Sequence, residues 1–390
     1  MKRILFFNDS MEVAGTERLL LDLLNHLSQR NTSITLLLPS FDEKHILLQE
    51  LDSRVEVRYL YSARMPYSKR KLLENIQIFC PRVFMKIVGL DLSAFDRVVC
   101  FKESFYAKAL SKAKCLKVLW VHNILYKRTY QSRTLKEQLS EWLNKKHIRI
   151  SQKSYDNFDT IVCVSDACKS SLLDIVHNGV HPKQDIRIIY NAIDLGKLKE
   201  KAIEYAVNMP QDRINFVLVT RVSPEKRIDR LIDSIITLRN EGYNFHVYII
   251  GERVEEYAQE TYPDIDLGNH ITYTGYLSNP HPYIQRANWS LCVSERESFS
   301  LALLESMALA TPVITTNCGG PANIIENGKY GILVDNDGNG VYAGMKKVLT
   351  DQDLSIKHSK LLDKAVERFE YQGWLESINE LLGTTDSVSI

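Results

Sequence analysis

Short apolar runs alternate with longer segments of helical spacing along this chain. ILFFN at residues 4–8 precedes GTERLLLDLLNHLSQR at 15–30, where leucines recur with the spacing of a helix. The apolar runs are continuous, which is typical of parallel strands covered on both faces, and a helix between them supplies the crossover. The pattern predicts an α/β fold whose first half has strands at residues 4–8, 33–39, 55–61, 97–101, 117–121, 160–164 and 186–191.

The same alternation starts again after residue 213. Residues 192–212 are polar and carry no strand pattern, so we place a domain boundary there. A chain of 390 residues also exceeds the ~250–300 at which a single core stops growing. We expect two doubly wound, Rossmann-like domains facing a central cleft, with ligands beyond the carboxyl ends of the strands. The second half has strands predicted at residues 214–220, 245–251, 270–276, 289–293, 311–316 and 330–334.

Charge and cysteine content limit the functions and cellular compartments that fit this chain. Lys and Arg total 49 and Asp and Glu total 48, so the basic bias of nucleic-acid binders is absent and we expect no nucleic-acid partner. Seven cysteines without a C-x-x-C pair favour reduced thiols and a reducing compartment. MKRILFFND is too short for a signal peptide, and no run approaches the ~20 apolar residues of a membrane helix. We therefore expect a cytoplasmic protein, soluble or peripherally attached.

The most informative segment is SERESFSLALLESMALATPVITT at residues 294–316, a strand end followed by a polar turn and an apolar helix. Ser298 or Ser300 is a candidate cap for that helix, and the free N–H groups at its start suit a phosphate. Glu297 in the turn is placed to reach a sugar hydroxyl, and Glu305 a ribose hydroxyl. Taken alone, such a pair of glutamates is more often a capping acid and a solvated helix acid.

A basic turn follows the first strand of the second half, in TRVSPEKRIDRLIDSI at residues 220–235. Ser223 is predicted to cap a helix with Pro224 at its first position, which puts Lys226 at the third. A cation there opposes the helix dipole by ~0.3–1 kcal/mol, and a bound anion would remove that conflict. Arg221 offers a bidentate fork for phosphate. A solvated basic turn explains the segment equally well.

Two weaker signals lie in the first half. In MEVAGTERLLLDLL at residues 11–24, Gly15 lets backbone approach a ligand, and Thr16 is a candidate helix cap. In WVHN, His122 and Asn123 stand at the end of a buried strand and are candidates for binding sugar hydroxyls. An ordinary glycine turn and a structural histidine are the alternatives.

Taken in order, these motifs resemble a known enzyme family. From about residue 2 to 380 the chain is similar to the retaining nucleotide-sugar glycosyltransferases of family 4, which have the GT-B fold. The last third is the most specific, with two glutamates separated by seven residues, then small-Pro-Val-Ile, then Gly-Gly-Pro. The segments that carry the resemblance are AGTER, WVHN, VCVSDACKSSL, IIYNAID, RVSPEKRIDRLIDSI, IIGE, ITYTGYL and ERESFSLALLESMALATPVITTNCGGPANIIENGKYGILV.

The resemblance implies a role for each matching residue. Arg221 and Lys226 match the basic pair that binds the donor diphosphate, Glu297 the acid at the donor sugar, and Glu305 the acid that holds the ribose. His122 resembles a histidine near the sugar, and it joins Glu297, Arg221 and Lys226 as the catalytic group. The rest of the implied donor-binding set is Gly15, Thr16, Ser298, Phe299, Ser300 and Leu301. Relatives often have Gly or Pro where Ser300 stands, and an acid where Asn323 stands.

The implied domains are residues 1–195 for the acceptor and 196–370 for the nucleotide sugar, with 371–390 forming a helix that crosses back and a tail. The implied activity moves a hexose or N-acetylhexosamine from a nucleotide sugar, most often UDP-linked, to a glycan or lipid-linked glycan of a bacterial surface. No metal or other cofactor is expected. The alternatives are a GT-B epimerase or phosphorylase, or a catalytically silent partner subunit of another glycosyltransferase.

An anionic membrane surface is a further candidate partner, on the inner face of the cell membrane. Residues 64–88 mix basic and large apolar side chains, and residues 127–153 add more around Leu139, Trp142 and Leu143. Ordinary helix faces packed on the sheet would give the same composition.

Overall fold

The structure is a computed structural model, and it describes residues 1–126, 145–146, 148–177, 179, 184–351 and 353–384. The chain divides into two compact units, Met1–Tyr190 with Leu375–Ile390, and Asn191–Trp374. The helix Tyr371–Leu382 lies across this division. Leu139, Trp142 and Leu143, which the sequence analysis named, lie outside the described residues.

The first unit is built on a seven-stranded parallel sheet in the order β3-β2-β1-β4-β5-β6-β7. Ile4, Phe6 and Phe7 of the central β1 have no exposed surface, as expected for a strand covered on both faces. The strands are Lys2–Phe7, Thr32–Leu38, Glu56–Tyr59, Arg97–Cys100, Leu116–Val121, Thr160–Cys163 and Asp185–Ile188. The helices α1 to α5 are Gly15–Ser28, Tyr67–Phe79, Pro81–Ile87, Ala107–Leu110 and Asp166–Val176.

The second unit repeats the design with a six-stranded parallel sheet in the order β10-β9-β8-β11-β12-β13. Its strands β8 to β13 are Ile214–Val219, Phe245–Ile250, Ile271–Gly275, Trp289–Cys292, Val313–Thr316 and Ile332–Val334. The helices α6 to α15 are Leu195–Ala202, Ile228–Asn240, Val254–Thr261, His281–Arg286, Leu301–Ala308, Gly320–Ile324, Gly338–Thr350, Asp353–Ser359, Leu362–Val366 and Tyr371–Leu382.

Thirteen strands were predicted, and each has a counterpart within a few residues of its predicted bounds. Three details at helix starts were wrong. Ser223 precedes the turn Pro224–Lys226, but its side chain makes no capping hydrogen bond. Thr16 does not cap α1, because the helix already begins at Gly15 and Ala14 is the residue before it. Lys226 does not stand at the third position of a long helix. It ends a single 3-10 turn, Pro224–Lys226, and α7 begins separately at Ile228.

All seven cysteines are free thiols, as expected. None of the helices in the described residues is both long enough and apolar enough to cross a membrane.

Candidate functional site

A buried ion pair stands beyond the carboxyl ends of β8 and β11 in the second unit. The Lys226 ammonium bonds to the Glu297 carboxylate, and both side chains are largely buried. Burial lowers the pKa of Lys226, the adjacent Glu297 carboxylate raises it, and the net direction is upward. Thr220, Lys226, Glu297 and Ser300 line one recess. Two residues that are 71 positions apart in sequence are therefore brought together as the family resemblance implies.

Lys226 reaches this position because the chain turns twice before α7. Ser223 and Pro224 start the 3-10 turn, and Arg227 then adopts a left-handed conformation with φ 47°. The Arg227 guanidinium bonds to Asp229 at 2.6 Å and lies 3.5 Å from Glu295, which compensates for a conformation that non-glycine residues rarely adopt. The dipole conflict predicted for Lys226 does not arise, since this residue lies outside α7 and is neutralised by Glu297.

Glu297 is held by backbone contacts between two loops. Its N–H donates to the Cys318 carbonyl at 2.9 Å, and its carbonyl accepts the Gly320 N–H at 2.8 Å. A Cβ atom at Gly320 would lie 2.0 Å from the Ser298 carbonyl oxygen, so only glycine allows the loops to approach this closely. The Gly-Gly-Pro motif thus has a mechanical role, because it fixes the turn that carries Glu297.

The turn ends at the start of α10. Ser300 precedes the helix with φ 68° and ψ 83°, and its hydroxyl accepts the Leu303 N–H at 3.4 Å. Glycine would adopt this left-handed conformation without strain. Phe299 is buried and stacks edge-on against Phe369, with 5.7 Å between ring centroids. Ser298 and Leu301 flank this cap in the chain, so four of the predicted donor-binding residues form one turn.

Arg221 is the other cation of this edge, and it is exposed. Its guanidinium lies 3.6 Å from Glu225, and three quarters of its side-chain surface is open to solvent. The Glu225 carbonyl also accepts the Glu295 N–H at 2.8 Å, which ties the basic turn to the turn carrying Glu297. Because Arg221 is exposed and Lys226 is paired with Glu297, this edge of the sheet can bind an anion through Arg221.

Glu305 lies on α10, and its partner in the structure is a histidine that was not among the predicted site residues. His281 Nε2 is 3.5 Å from Glu305 Oε2, and the histidine is buried. Nothing in the spacing of the two residues pointed to this contact, because His281 begins another helix, α9.

In the first unit, His122 lies in an apolar setting at the end of β5. It is 5% exposed and stacks on Phe101 with 4.9 Å between ring centroids. Neither ring nitrogen has a hydrogen-bond partner in the structure. Burial lowers its pKa to about 3, so the ring is neutral. A neutral imidazole with both nitrogens unpaired is suited to a hydroxyl group, which both donates and accepts.

A carboxylate binds the backbone of this histidine. Glu103, which sequence reasoning missed, accepts the His122 backbone N–H at 2.9 Å and a bond from the Asn123 amide. Burial raises the pKa of Glu103, and it raises that of Asp9, which accepts a bond from Ser104 at 2.8 Å. The signal that could have found them is their position, directly after β1 and β4.

Gly15 and Thr16 form the first turn of α1 in the same unit. The next residue, Glu17, is 3% exposed and lies 3.3 Å from the Lys102 ammonium. The predicted glycine-rich turn is therefore followed by a buried ion pair.

The described residues contain no group of three or more His, Cys, Asp or Glu side chains that could hold a metal ion. Asp-x-Asp triplets do occur in the sequence, at residues 264–266, 335–337 and 351–353. In the second of these, Asp337 caps α12 by accepting the Gly340 N–H, and Asn336 bonds to Arg230. These contacts give that triplet a structural role.

Both halves of the chain match models of known families. The model described as Glycosyltransferase Family 4 matches residues 13–197, and the one described as Glycosyl transferases group 1 matches residues 200–368. Between them the two models span both units.

Individual relatives are distant. The chain is 29% identical over 191 residues to the N-acetylgalactosamine-N,N'-diacetylbacillosaminyl-diphospho-undecaprenol 4-alpha-N-acetylgalactosaminyltransferase of Campylobacter jejuni, covering 48% of this chain and 50% of that protein. It therefore spans about half the length of this relative. It is 24% identical over 362 residues to the mouse Alpha-1,3/1,6-mannosyltransferase ALG2, covering 86% and 84%. The solved structure of Anabaena HepE in complex with UDP has a TM-score of 0.74 at 18% identity, covering 99% and 100%. Such structural neighbours identify the fold as GT-B.

Proposed function

Because the chain belongs to the group 1 glycosyltransferases with the GT-B fold, we propose that it transfers a sugar from a nucleotide-linked donor to an acceptor hydroxyl. The observation that carries the proposal is the buried Lys226–Glu297 pair beside the exposed Arg221. A diphosphate can bind to both cations, and this frees the Glu297 carboxylate for the hydroxyls of the donor sugar.

In the proposed mechanism, the charge that develops on the leaving diphosphate is stabilised by Arg221 and Lys226. Lys226 is already held at the site by its largely buried position, and the exposed Arg221 side chain is free to close on the phosphates. Glu305 holds the ribose, and Ser298, Phe299, Ser300 and Leu301 form the turn beside the phosphates. The family resemblance implies a diphosphate contact for Gly15 and Thr16 and a sugar-hydroxyl contact for His122, and we propose these roles for them. We propose that the transferred sugar keeps the anomeric configuration that it has in the donor.

We propose a UDP-linked hexose or N-acetylhexosamine as the donor and a glycan or lipid-linked glycan as the acceptor, in bacterial surface polysaccharide or glycoconjugate synthesis. Two facts support this choice. HepE was solved with UDP and with UDP-glucose. Relatives of the chain include an enzyme named for a diphospho-undecaprenol glycan and the Staphylococcus aureus capsular polysaccharide glycosyltransferase CapM.

The test is a screen of UDP- and GDP-sugars with lipid-linked and soluble glycan acceptors, read as release of nucleoside diphosphate. We expect release that depends on the acceptor, and a product whose anomeric proton has the configuration of the donor. A silent partner subunit would release nothing. An epimerase or phosphorylase would convert its sugar without any acceptor glycan. Glu297→Gln serves as the inactive control.

We also propose that transfer needs no metal, because the site already supplies two cations, Arg221 and Lys226, for the diphosphate. Activity is expected to survive EDTA. Loss of activity in EDTA that manganese or magnesium restores would contradict the proposed mechanism.

An anionic membrane surface is proposed as a second partner. Helices α2 and α3 expose Tyr67 at 79%, Leu72 at 59% and Val83 at 53%, while Leu73 and Phe84 on the same helices are buried. Large apolar groups on a surface are typical of interfacial helices when basic residues accompany them. Arg82, Lys108 and Lys112 line the groove beside Val83. Peripheral attachment to the inner face of the cell membrane would bring a lipid-linked acceptor to the enzyme.

Vesicle sedimentation tests this attachment. We expect binding to anionic vesicles that weakens with salt, and little binding to neutral ones. Val83→Ser with Arg82→Gln should reduce it. The matched control is Ile356→Ser, which removes an equally exposed apolar side chain from the second unit. Equal and negligible binding to both vesicle types would exclude the membrane proposal and leave the transferase proposal standing.

A further inference from the structure

The Glu305 carboxylate lies next to the ring of His281, and hydrogen bonds to a neighbouring asparagine determine the orientation of that ring. His281 is the first residue of α9, is buried, and directs Nε2 at Glu305 Oε2 over 3.5 Å. Its other ring nitrogen, Nδ1, lies 2.7 Å from the side-chain oxygen of Asn279. The imidazole thus connects an asparagine on one side with the proposed ribose-binding carboxylate on the other.

The amide of Asn279 can take only one orientation. Its Oδ1 accepts the backbone N–H of His281 at 3.1 Å, and a backbone N–H is always a donor. Its Nδ2 donates to the backbone carbonyl of Lys201 at 2.8 Å and to Glu204 at 2.5 Å, both of which are acceptors. Reversing the amide would break all three bonds, so an oxygen faces His281 Nδ1.

This orientation determines the state of the ring. Since Asn279 presents an acceptor, His281 Nδ1 must carry the proton and donate it. In the neutral ring, Nε2 would then direct a lone pair at the Glu305 carboxylate, which is repulsive. In the imidazolium both nitrogens carry protons, and both contacts are favourable. The charged groups that face the ring are Glu305 on α10 and, behind Asn279, Glu204 after α6.

We propose that His281, oriented by Asn279, is a positioning residue that holds the Glu305 carboxylate in place for the ribose of the bound nucleotide. The inference rests on the proposed function, because the role of Glu305 at the ribose is part of it. A carboxylate has about four acceptor positions. His281 occupies one at the back, which leaves the others for two neighbouring hydroxyls. The effect is on nucleotide affinity, and the rate of the chemical step is unaffected.

Calorimetric binding of UDP, with GDP in parallel, tests this without knowledge of the sugar or acceptor. The variants are His281→Leu, His281→Gln and Glu305→Gln, with His270→Gln in the same unit as the control. We expect His281→Leu to weaken UDP binding about tenfold, because the Glu305 carboxylate loses the group that holds it in place. His281→Gln should remain close to wild type, since its amide donates to Glu305 as the imidazolium does.

The kinetic parameters separate positioning from a structural role. Once turnover is measurable, His281→Leu should change the donor KM and leave kcat unchanged, and His281→Gln should restore the KM of wild type.

A double-mutant cycle gives the decisive outcome. In the Glu305→Gln background, His281→Leu should cost nothing further, whereas a structural histidine would cost the same in both backgrounds. Unchanged UDP binding in both His281 variants, together with weakened binding in Glu305→Gln, would overturn the inference and leave the proposed function intact. If wild type binds neither UDP nor GDP, or if Glu305→Gln binds as tightly as wild type, the proposed function itself fails at this residue.

Discussion

The strand-end edges of the two units are built on opposite electrostatic principles. In the second unit, charged groups neutralise one another, as in the Lys226–Glu297 and Arg227–Asp229 pairs. Around His122 in the first unit, burial instead favours neutral forms, since it lowers the pKa of His122 to about 3 and raises that of Glu103. The ion pair of Glu17 with Lys102, which follows β4, is an exception to this contrast.

The contrast matches the chemistry of the two proposed ligands. A diphosphate is charged, and it can replace the Glu297 carboxylate at Lys226 without leaving a buried ammonium unpaired. An acceptor hydroxyl is neutral, and a neutral imidazole can bind it without the desolvation cost of a charge. At the edge of the second unit, a bound diphosphate would replace Glu297 as the partner of Lys226. At the edge of the first unit, a bound hydroxyl would give the ring nitrogens of His122 the hydrogen bonds that they lack.

Removal of the Lys226 charge should give the largest effect. Lys226→Gln is expected to lower turnover by on the order of 10²-fold, because one donor to the leaving group is lost. It should also lower Tm, because Glu297 is left buried without its partner, at a cost of about 1–3 kcal/mol. Steady-state kinetics and melting curves of the apo protein measure both effects. Lys226→Glu should be worse in both respects, since two carboxylates would then meet.

An exposed pair provides the matched control for this prediction. Lys329 and Glu326 lie 2.7 Å apart in the same unit, with 58% of the lysine side chain open to solvent. Lys329→Gln should change stability by less than about 1 kcal/mol and leave turnover unchanged. A Lys226→Gln variant that melts and turns over like Lys329→Gln would show that the buried pair has no role in the site. The double variant Lys226→Gln/Glu297→Gln should regain stability without regaining activity.

The neutral edge can be tested through His122. His122→Phe keeps the stacking on Phe101 and removes two buried nitrogens that have no partner. We expect turnover to fall by about 10²-fold, as for loss of other positioned proton donors and acceptors, while the folded state at neutral pH becomes no less stable. Kinetics and melting curves at pH 7.5 measure this. The control is His358→Phe in the second unit, where a partly buried histidine packs on Trp289.

The pH dependence of protein stability provides a second test of the neutral His122 ring. The folded-state pKa of His122, about 3, lies below the ordinary histidine value of ~6.5, so the unfolded chain binds the proton more readily between these values. The stabilising contribution of the neutral ring is complete above pH 6.5 and is lost as the pH falls toward 3. His122→Phe should therefore lose less stability than wild type between pH 6.5 and 4.5. An equal loss in both proteins would contradict burial of the neutral ring.

The sequence was sufficient to predict the sheets, because continuous apolar runs bounded by polar turns identify buried parallel strands wherever they occur. The family resemblance assigned Lys226 and Glu297 to one donor-binding set, but it did not predict the contact between their side chains. The sequence-based prediction failed at the start of α7. Ser223 and Pro224 do begin a helical turn, but Arg227 adopts a left-handed conformation that its contacts with Asp229 and Glu295 compensate. A pair with Asp229, two residues away, and a tertiary contact with Glu295 thus stabilise a backbone conformation that the capping signal did not predict.

The neutral edge was harder to predict for a different reason. His122 was identified by its place after a strand, but its missing partners and the carboxylate of Glu103 are properties of burial, which no spacing encodes. The contact of His281 with Glu305 joins separate helices and depends on an asparagine amide. Contacts of this kind form only when the sheet brings distant loops to one edge.

The smallest expected effect concerns Ser300, where the turn carrying Glu297 meets α10. Ser300→Gly should relieve a left-handed conformation that costs a non-glycine residue about 1–2 kcal/mol. Against this, the cap bond to Leu303 is lost, and glycine is more flexible in the unfolded chain, which together cost about 1 kcal/mol. We therefore expect a gain of between zero and about 1 kcal/mol. Ser300→Ala keeps the left-handed conformation and loses the cap, so it should be the least stable of the three. Melting curves decide the order Gly, Ser, Ala. If alanine melts above serine, the hydroxyl does not cap α10, and a role for it in donor binding would have to be sought in the KM for the donor.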